Sequence, residues 1–249
     1  MSYENNKIID LLTESKKTKA NLEKTGEHIS NACGRLAELI DIATLPITIL
    51  NFGIKSATEY FKNNFNADLQ RKLINIDSEN LQPPSLSISS LSLQGLAIYH
   101  TQGEIKNLFL NLLAKSMNSK STIEIHPAFI DTIKQLSPNE ALILNKLSQE
   151  NLSNWTLSGE EYFDVLIKWD KICEQYIDTD NFTLYLENLF RLQIMTIHDH
   201  QEIKHYPAGV DPYSDSDYDA EIKLKSFSDV YITEFGHAFI ECCVKENAI

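Results

Sequence analysis

The tetrapeptide Ser137-Pro138-Asn139-Glu140 constrains this chain more than any other short run. It has the form of a capping box with proline in the first helical position. The Ser137 hydroxyl can accept from the Glu140 N–H, and the Glu140 carboxylate can reach back to the Ser137 N–H. A helix therefore starts at Pro138 and carries Ile143, Leu144 and Leu147 inward. Upstream, Ile105, Leu108, Phe109, Leu112, Leu113 and Met117 recur at helical spacing, and after Pro127 the same period returns in Phe129, Ile130, Ile133 and Leu136. Asn118-Ser119 separates the two as a turn. Successive apolar helix faces make residues 107–147 a structural core rather than a reaction centre.

The flanking chain extends this pattern. Residues 1–24 are rich in Lys and Asn, with a basic cluster at Lys16, Lys17 and Lys19, and read as a frayed helix or arm with a solvated face. Cys33, Leu36, Leu39 and Ile40 mark a helix. Pro46 opens the longest one, whose stripe Leu50, Ile54, Ala57, Phe61, Phe65, Leu69, Leu73 and Ile76 suits a bundle helix better than a zipper. Residues 77–92 read as a connection: Pro83-Pro84 stops a helix, and the alternating Leu86, Ile88, Leu91 and Leu93 fit a short strand or extended segment.

Beyond Leu147 the texture changes. Trp155 and Leu157 suggest a short strand, and residues 158–161 start a helix through Val165, Trp169, Ile172 and Tyr176. Residues 178–181 cap another, holding Phe182, Tyr185, Leu186, Leu189 and Phe190. Residues 194–198 form a strand, 201–221 a polar loop, and Ile222-Lys223-Leu224 and Val230-Tyr231-Ile232 strand ends before a last helix capped by Thr233. This is the order of a winged helix. The expected fold is mainly α: a helical bundle with an N-terminal arm over 1–135, then a winged-helix-like α+β half over 136–249.

Charge sharpens the division. The 249 residues carry a formal charge of −13. Residues 1–133 hold 13 Lys+Arg against 14 Asp+Glu, whereas residues 134–249 hold 9 against 21. Phosphates need cations opposite them, so the acidic half argues against nucleic acid, and equally against anionic lipid. The outward residues expected on the second helix of the winged-helix motif, Thr183, Glu187, Asn188 and Arg191, with Asp178 and Asp180 ahead of them, make a poor phosphate surface. The apolar run from Leu39 to Ile54 contains Asp41, Pro46 and Asn51 and falls short of a membrane span of about 20 residues. Four cysteines without a disulfide framework and a start without a secretory pattern point to the reducing cytoplasm.

Chemistry has few places to reside. On a strand, His198 and His200 face one side, as two metal ligands must, and Asp217 lies in the acidic loop beyond. Against this, Ala220 and Ser226 stand where a calcium loop through Asp215, Asp217 and Asp219 needs Gly and Glu. A solvated acidic loop is the expected role, with no metal or cofactor. His126, before Pro127, is the best single candidate for chemistry, weighed against a capping or hydrogen-bonding role. Cys242-Cys243 lies on an amphipathic helix with no base near either thiol. Gly-rich phosphate loops, G-x-S-x-G and H-E-x-x-H do not occur.

Residues 111–118 (NLLAKSMN) followed by 126–141 (HPAFIDTIKQLSPNEA) resemble the signature phrases of the abortive-infection alpha family, in which His126, Pro127, Phe129, Leu136, Ser137, Pro138 and Glu140 are motif positions. The resemblance runs back through residues 76–81 and the Pro83-Pro84 pair and forward through residues 232–236 and Phe239. Two departures are Asn118, where the family usually has Asp, and Gln94, where Glu is common. The resemblance implies phage exclusion in bacteria and brings no catalytic set with it. The expected mode of action is binding to a phage or host protein, with self-association as a further partner. A metal-dependent enzyme, a membrane-acting effector and a winged-helix DNA-binding regulator are the alternatives.

Overall fold

The computed structural model describes residues 51–150, 155–177, 180–206, 209–210, 217–218 and 221–245. The N-terminal arm, the helix around Cys33, the helix start at Pro46 and most of the Leu39–Ile54 run lie outside them. The chain is mainly helical, with one small three-stranded antiparallel sheet. It divides into two compact units, one reaching to Pro138 and taking up the chain again from Glu241, the other spanning Asn139–Ile240.

In the first unit the apolar stripe from Ala57 to Ile76 is buried throughout, yet it is not one helix. It is split into α1 (Asn51–Asn63) and α2 (Phe65–Leu73). Asn64 between them has φ −120° and ψ −35°. Asn is a poor helix former because its amide competes for the backbone, which suits the break in helical dihedrals at Asn64. The expected connection at 86–93 is also corrected, for these residues open the helix α3 (Leu86–Tyr99). The Ser85 hydroxyl accepts from the Ile88 N–H at 3.4 Å, and the Ser89 hydroxyl donates to the Ser85 carbonyl at 2.8 Å. Ser85 is thus an N-cap directly after the two prolines.

The inner face of α3 carries Ser89, Ser92 and Gly95 among its leucines, so a neighbour can approach closely. That neighbour is α4 (Gly103–Ser116), whose Phe109 ring lies over Gly95. A Cβ on Gly95 would meet Phe109 Cζ at 2.3 Å. The helix α5 (Ala128–Gln135) packs on both α3 and α4 through Phe129, Ile130 and Ile133. The Tyr99 hydroxyl donates to the Lys134 carbonyl at 3.2 Å. The returning C-terminal segment is fixed by Asn111, which is buried and donates to the carbonyls of Cys243 at 2.9 Å and Val244 at 3.2 Å.

In the second unit α6 (Pro138–Leu147) begins where the capping box requires, although Pro138 itself belongs to the first unit. It is followed by β1 (Thr156–Gly159), α7 (Tyr162–Glu174), α8 (Phe182–Arg191), β2 (Met195–Tyr206), two short strands, β3 (Gly209–Val210) and β4 (Asp217–Tyr218), which pair with each other, then β5 (Glu221–Ile232) and α9 (Glu234–Phe239). The sheet order is β1-β5-β2. Strand β2 is longer than expected: its antiparallel pairing with β5 runs from Met195 opposite Ile232 to Tyr206 opposite Glu221, into the residues expected to be loop. The core holds Leu144, Leu147, Val165, Trp169, Cys173, Leu186, Leu189, Ile194, Met195 and Val230. Helix α8 ends with Gln193 at φ 58°, while the Ile194 N–H donates to the Leu189 carbonyl at 3.0 Å, the six-to-one bond of a Schellman stop. Thr233 caps α9 by accepting from the Gly236 N–H at 2.8 Å.

Candidate functional site

A polar cluster of the first unit is built around Asp68. Its place on α2 is on the buried side, at 6% exposure, where an isolated carboxylate would be costly. The bend at Asn64 brings Tyr60 of α1 alongside, and the Tyr60 hydroxyl donates to Asp68 Oδ2 at 3.3 Å. Lys106 of α4 donates to the same oxygen at 3.0 Å, and Arg71 donates to Oδ1. Burial alone would raise the Asp68 carboxyl, but the ammonium of Lys106 and the guanidinium of Arg71 outweigh it and hold it below the usual range. The Tyr60 hydroxyl is pushed the other way, by burial and by the Asp68 charge.

The network continues through Tyr60. Lys106 Nζ sits 5.7 Å from the centre of its ring, and the His100 imidazole stacks on it at 5.2 Å. His100 Nε2 is 2.8 Å from the Ser56 hydroxyl. Beside Asp68 opens a cavity of about 470 Å³ lined by Asp68, Arg71, Lys72, Gly103, Lys106, Asn107 and Leu110. Gly103 is the first residue of α4, and a Cβ placed on it meets nothing within 4 Å. Sequence reasoning did not single out any of these polar residues. An acid or a lysine on an amphipathic helix reads as solvated face, and only the fold brings residues 38 apart into one ion pair.

The motif positions cluster around the starts of α5 and α6. His126 is exposed, its Nδ1 accepts from the Ala128 N–H at 3.1 Å, and its ring meets Phe129 edge-on at 6.4 Å. Pro127 and Pro138 are exposed, Ser137 is half-buried, and Phe129 and Leu136 are core. Glu140, buried at 2%, accepts from Asn188 Nδ2 at 2.7 Å, and the Tyr185 hydroxyl accepts from Asn139 Nδ2 at 2.8 Å. These bonds tie α6 to α8 within the second unit. Thr183, Glu187 and Arg191 do face outward; Asn188, expected with them, is half-buried on Glu140. Asn118 Oδ1 accepts from the Lys120 N–H at 3.0 Å, a turn contact that an Asp would also make. Gln94 is half-buried on α3.

His198 and His200 share one face of β2, with ring centres 6.2 Å apart. His200 stacks on Phe227 at 5.5 Å, and its Nδ1 lies 3.6 Å from Asp229. Asp217 lies in β4, paired in register with Val210. Among the described residues no group of three or more His, Cys, Asp or Glu is disposed to hold a metal. The opposite face of the hairpin is apolar at its outer end. Ile203 is in register with Leu224, and Ile222 lies two residues along the same face; the three are 60%, 67% and 66% exposed. Cys173, Cys242 and Cys243 are free thiols, and all three are buried. Burial, with the nearby Asp170 charge, pushes Cys173 to about 12, and burial pushes Cys242 to about 11, so neither is a nucleophile at neutral pH.

Mainly helical, in two compact units, with a polar cavity in one and a small antiparallel sheet in the other, the chain is defined by packing and surface chemistry. Its sequence belongs to the abortive infection alpha family, whose model matches residues 57–243. That membership connects it, at a coarse level, with abortive infection, a form of phage defence. No curated protein and no solved structure matches the chain significantly. No helix among the described residues is long and apolar enough to cross a membrane.

Proposed function

We propose that this chain acts in phage defence within the cytoplasm by binding another protein, and that its second unit is a winged helix used for protein contact. The order α6, β1, α7, α8, β2, β5, with β5 central in the three-stranded sheet and the short β3–β4 pair intervening in sequence, supports the winged-helix reading. The observation that carries the contact reading is the apolar patch of Ile203, Ile222 and Leu224 on the hairpin. Three large aliphatic side chains, each about two-thirds exposed on one face of a hairpin, gain free energy when a partner covers them. The excess of acid in residues 134–249 turns away nucleic acid and favours a partner with a basic rim.

Affinity capture from infected and uninfected bacteria tests this directly, with the parent chain and Ile203→Glu/Leu224→Glu run in parallel. A stoichiometric protein recovered on infection by the parent and lost by the double variant is the expected result. A partner retained equally by both would remove the hairpin from the interface. A phage-defence activity that needed an added divalent ion and no partner would replace this reading with an enzymatic one.

A further inference from the structure

We propose that Ser56 and His100 form a catalytic dyad in the first unit, with Ser56 as nucleophile and His100 as its general base, acting on small carboxylic esters. This goes beyond the protein-contact reading and does not rest on it. His100 Nε2 lies 2.8 Å from the Ser56 hydroxyl, although the two residues are 44 apart in sequence, because α1 packs beside α3. The other ring nitrogen fixes the direction of that bond. Nδ1 is 3.2 Å from the Ala97 carbonyl, which only accepts, so Nδ1 carries the proton. In the neutral imidazole Nε2 is then a bare acceptor, and the Ser56 O–H donates to it. A nucleophile bonded to a base, and the base to an orienting group, is the arrangement that activates a serine.

The surroundings hold the base in place and leave the nucleophile open. The imidazole stacks on the Tyr60 ring at 5.2 Å, and Tyr60 is itself buried and bonded to Asp68. His100 is half-buried whereas Ser56 is exposed, so an acyl donor can reach its oxygen. His100 is also the C-cap of the fourteen-residue helix α3, and Ala97 belongs to its last turn. The negative end of that helix favours the imidazolium formed when Nε2 takes a proton, the part a carboxylate plays in a serine–histidine–aspartate triad. With a backbone carbonyl in place of a carboxylate, the dyad suits esters, whose leaving oxygen needs less acid assistance than an amine. The Ser56 oxygen bonds to the acyl carbon as its proton passes to Nε2. The ester C–O bond then breaks, and the departing alcohol takes that proton. Water adds to the acyl group in turn and gives a proton to Nε2. The acyl–Oγ bond breaks, the proton returns to Ser56, and the carboxylic acid leaves.

The test is reaction of the full chain with a fluorophosphonate, which bonds to an activated serine and releases fluoride, followed by intact mass and peptide mapping. A single adduct on Ser56 is the expected result, together with saturable hydrolysis of p-nitrophenyl acetate. His100→Gln keeps an oxygen that can accept from Ser56 but cannot take its proton. It slows both reactions by at least about 100-fold at an unchanged unfolding midpoint. Mapping on the parent chain needs no variant, so it stands whether or not His100→Gln folds. Absence of an adduct, an adduct only on other residues, or labelling of Ser56 at the parent rate in folded His100→Gln overturns the proposal.

Discussion

Asp68 stays ionised in a nearly dry position because two cations and a phenol converge on it. With its folded pKa held below the unfolded one, its contribution to stability is complete above the unfolded value, about pH 4, and is lost as pH falls through the lower folded value. Asp68→Asn is therefore expected to cost about 1.5–3 kcal/mol near neutrality, the size of a charge-assisted hydrogen-bond pair. The gap between parent and variant narrows below pH 4, as thermal melts at pH 7 and pH 3 will show; an equal gap at both would contradict the assignment. This residue was invisible in the sequence, because nothing about an Asp between Ala67 and Leu69 on an amphipathic helix announces two partners on two helices. The place of His126 just ahead of a helix was legible, and its Nδ1 accepts from the Ala128 N–H.

At the scale of elements, periodicity found the apolar faces and misjudged two boundaries. The stripe from Ala57 to Ile76 is buried as read, but the Asn63-Asn64 pair divides it, and that bend is what brings Tyr60 to Asp68. The first part of helix α3 was missed because its buried face is made of Ser89, Ser92 and Gly95 as much as of leucine, so hydrophobic period gives little signal. The helix start was nonetheless written in the chain, in Pro83-Pro84-Ser85. Close packing of α3 on α4 predicts that Gly95→Ala destabilises by about 1–3 kcal/mol, since the new methyl collides with the fully buried Phe109 ring. Ala is the better helix former, so a stabilised variant in chemical denaturation would show that Gly95 is not the contact point.

Over the whole molecule, a change of charge and texture was legible, since a near-neutral helical stretch gives way to a strongly acidic one with strands. The return of the C-terminus into the first unit was not, because it depends on Asn111 meeting two carbonyls more than 130 residues away. Family membership connects the chain with abortive infection at a coarse level, and the exposed apolar hairpin is the surface on which the proposed contact rests. The most direct measurement is the plating efficiency of phage on bacteria carrying the parent chain or Ile203→Glu/Leu224→Glu, with equal expression and matching unfolding midpoints established first. Loss of protection in the double variant is the predicted result. Protection undiminished by two charges on the hairpin face would contradict the claim that defence runs through that surface.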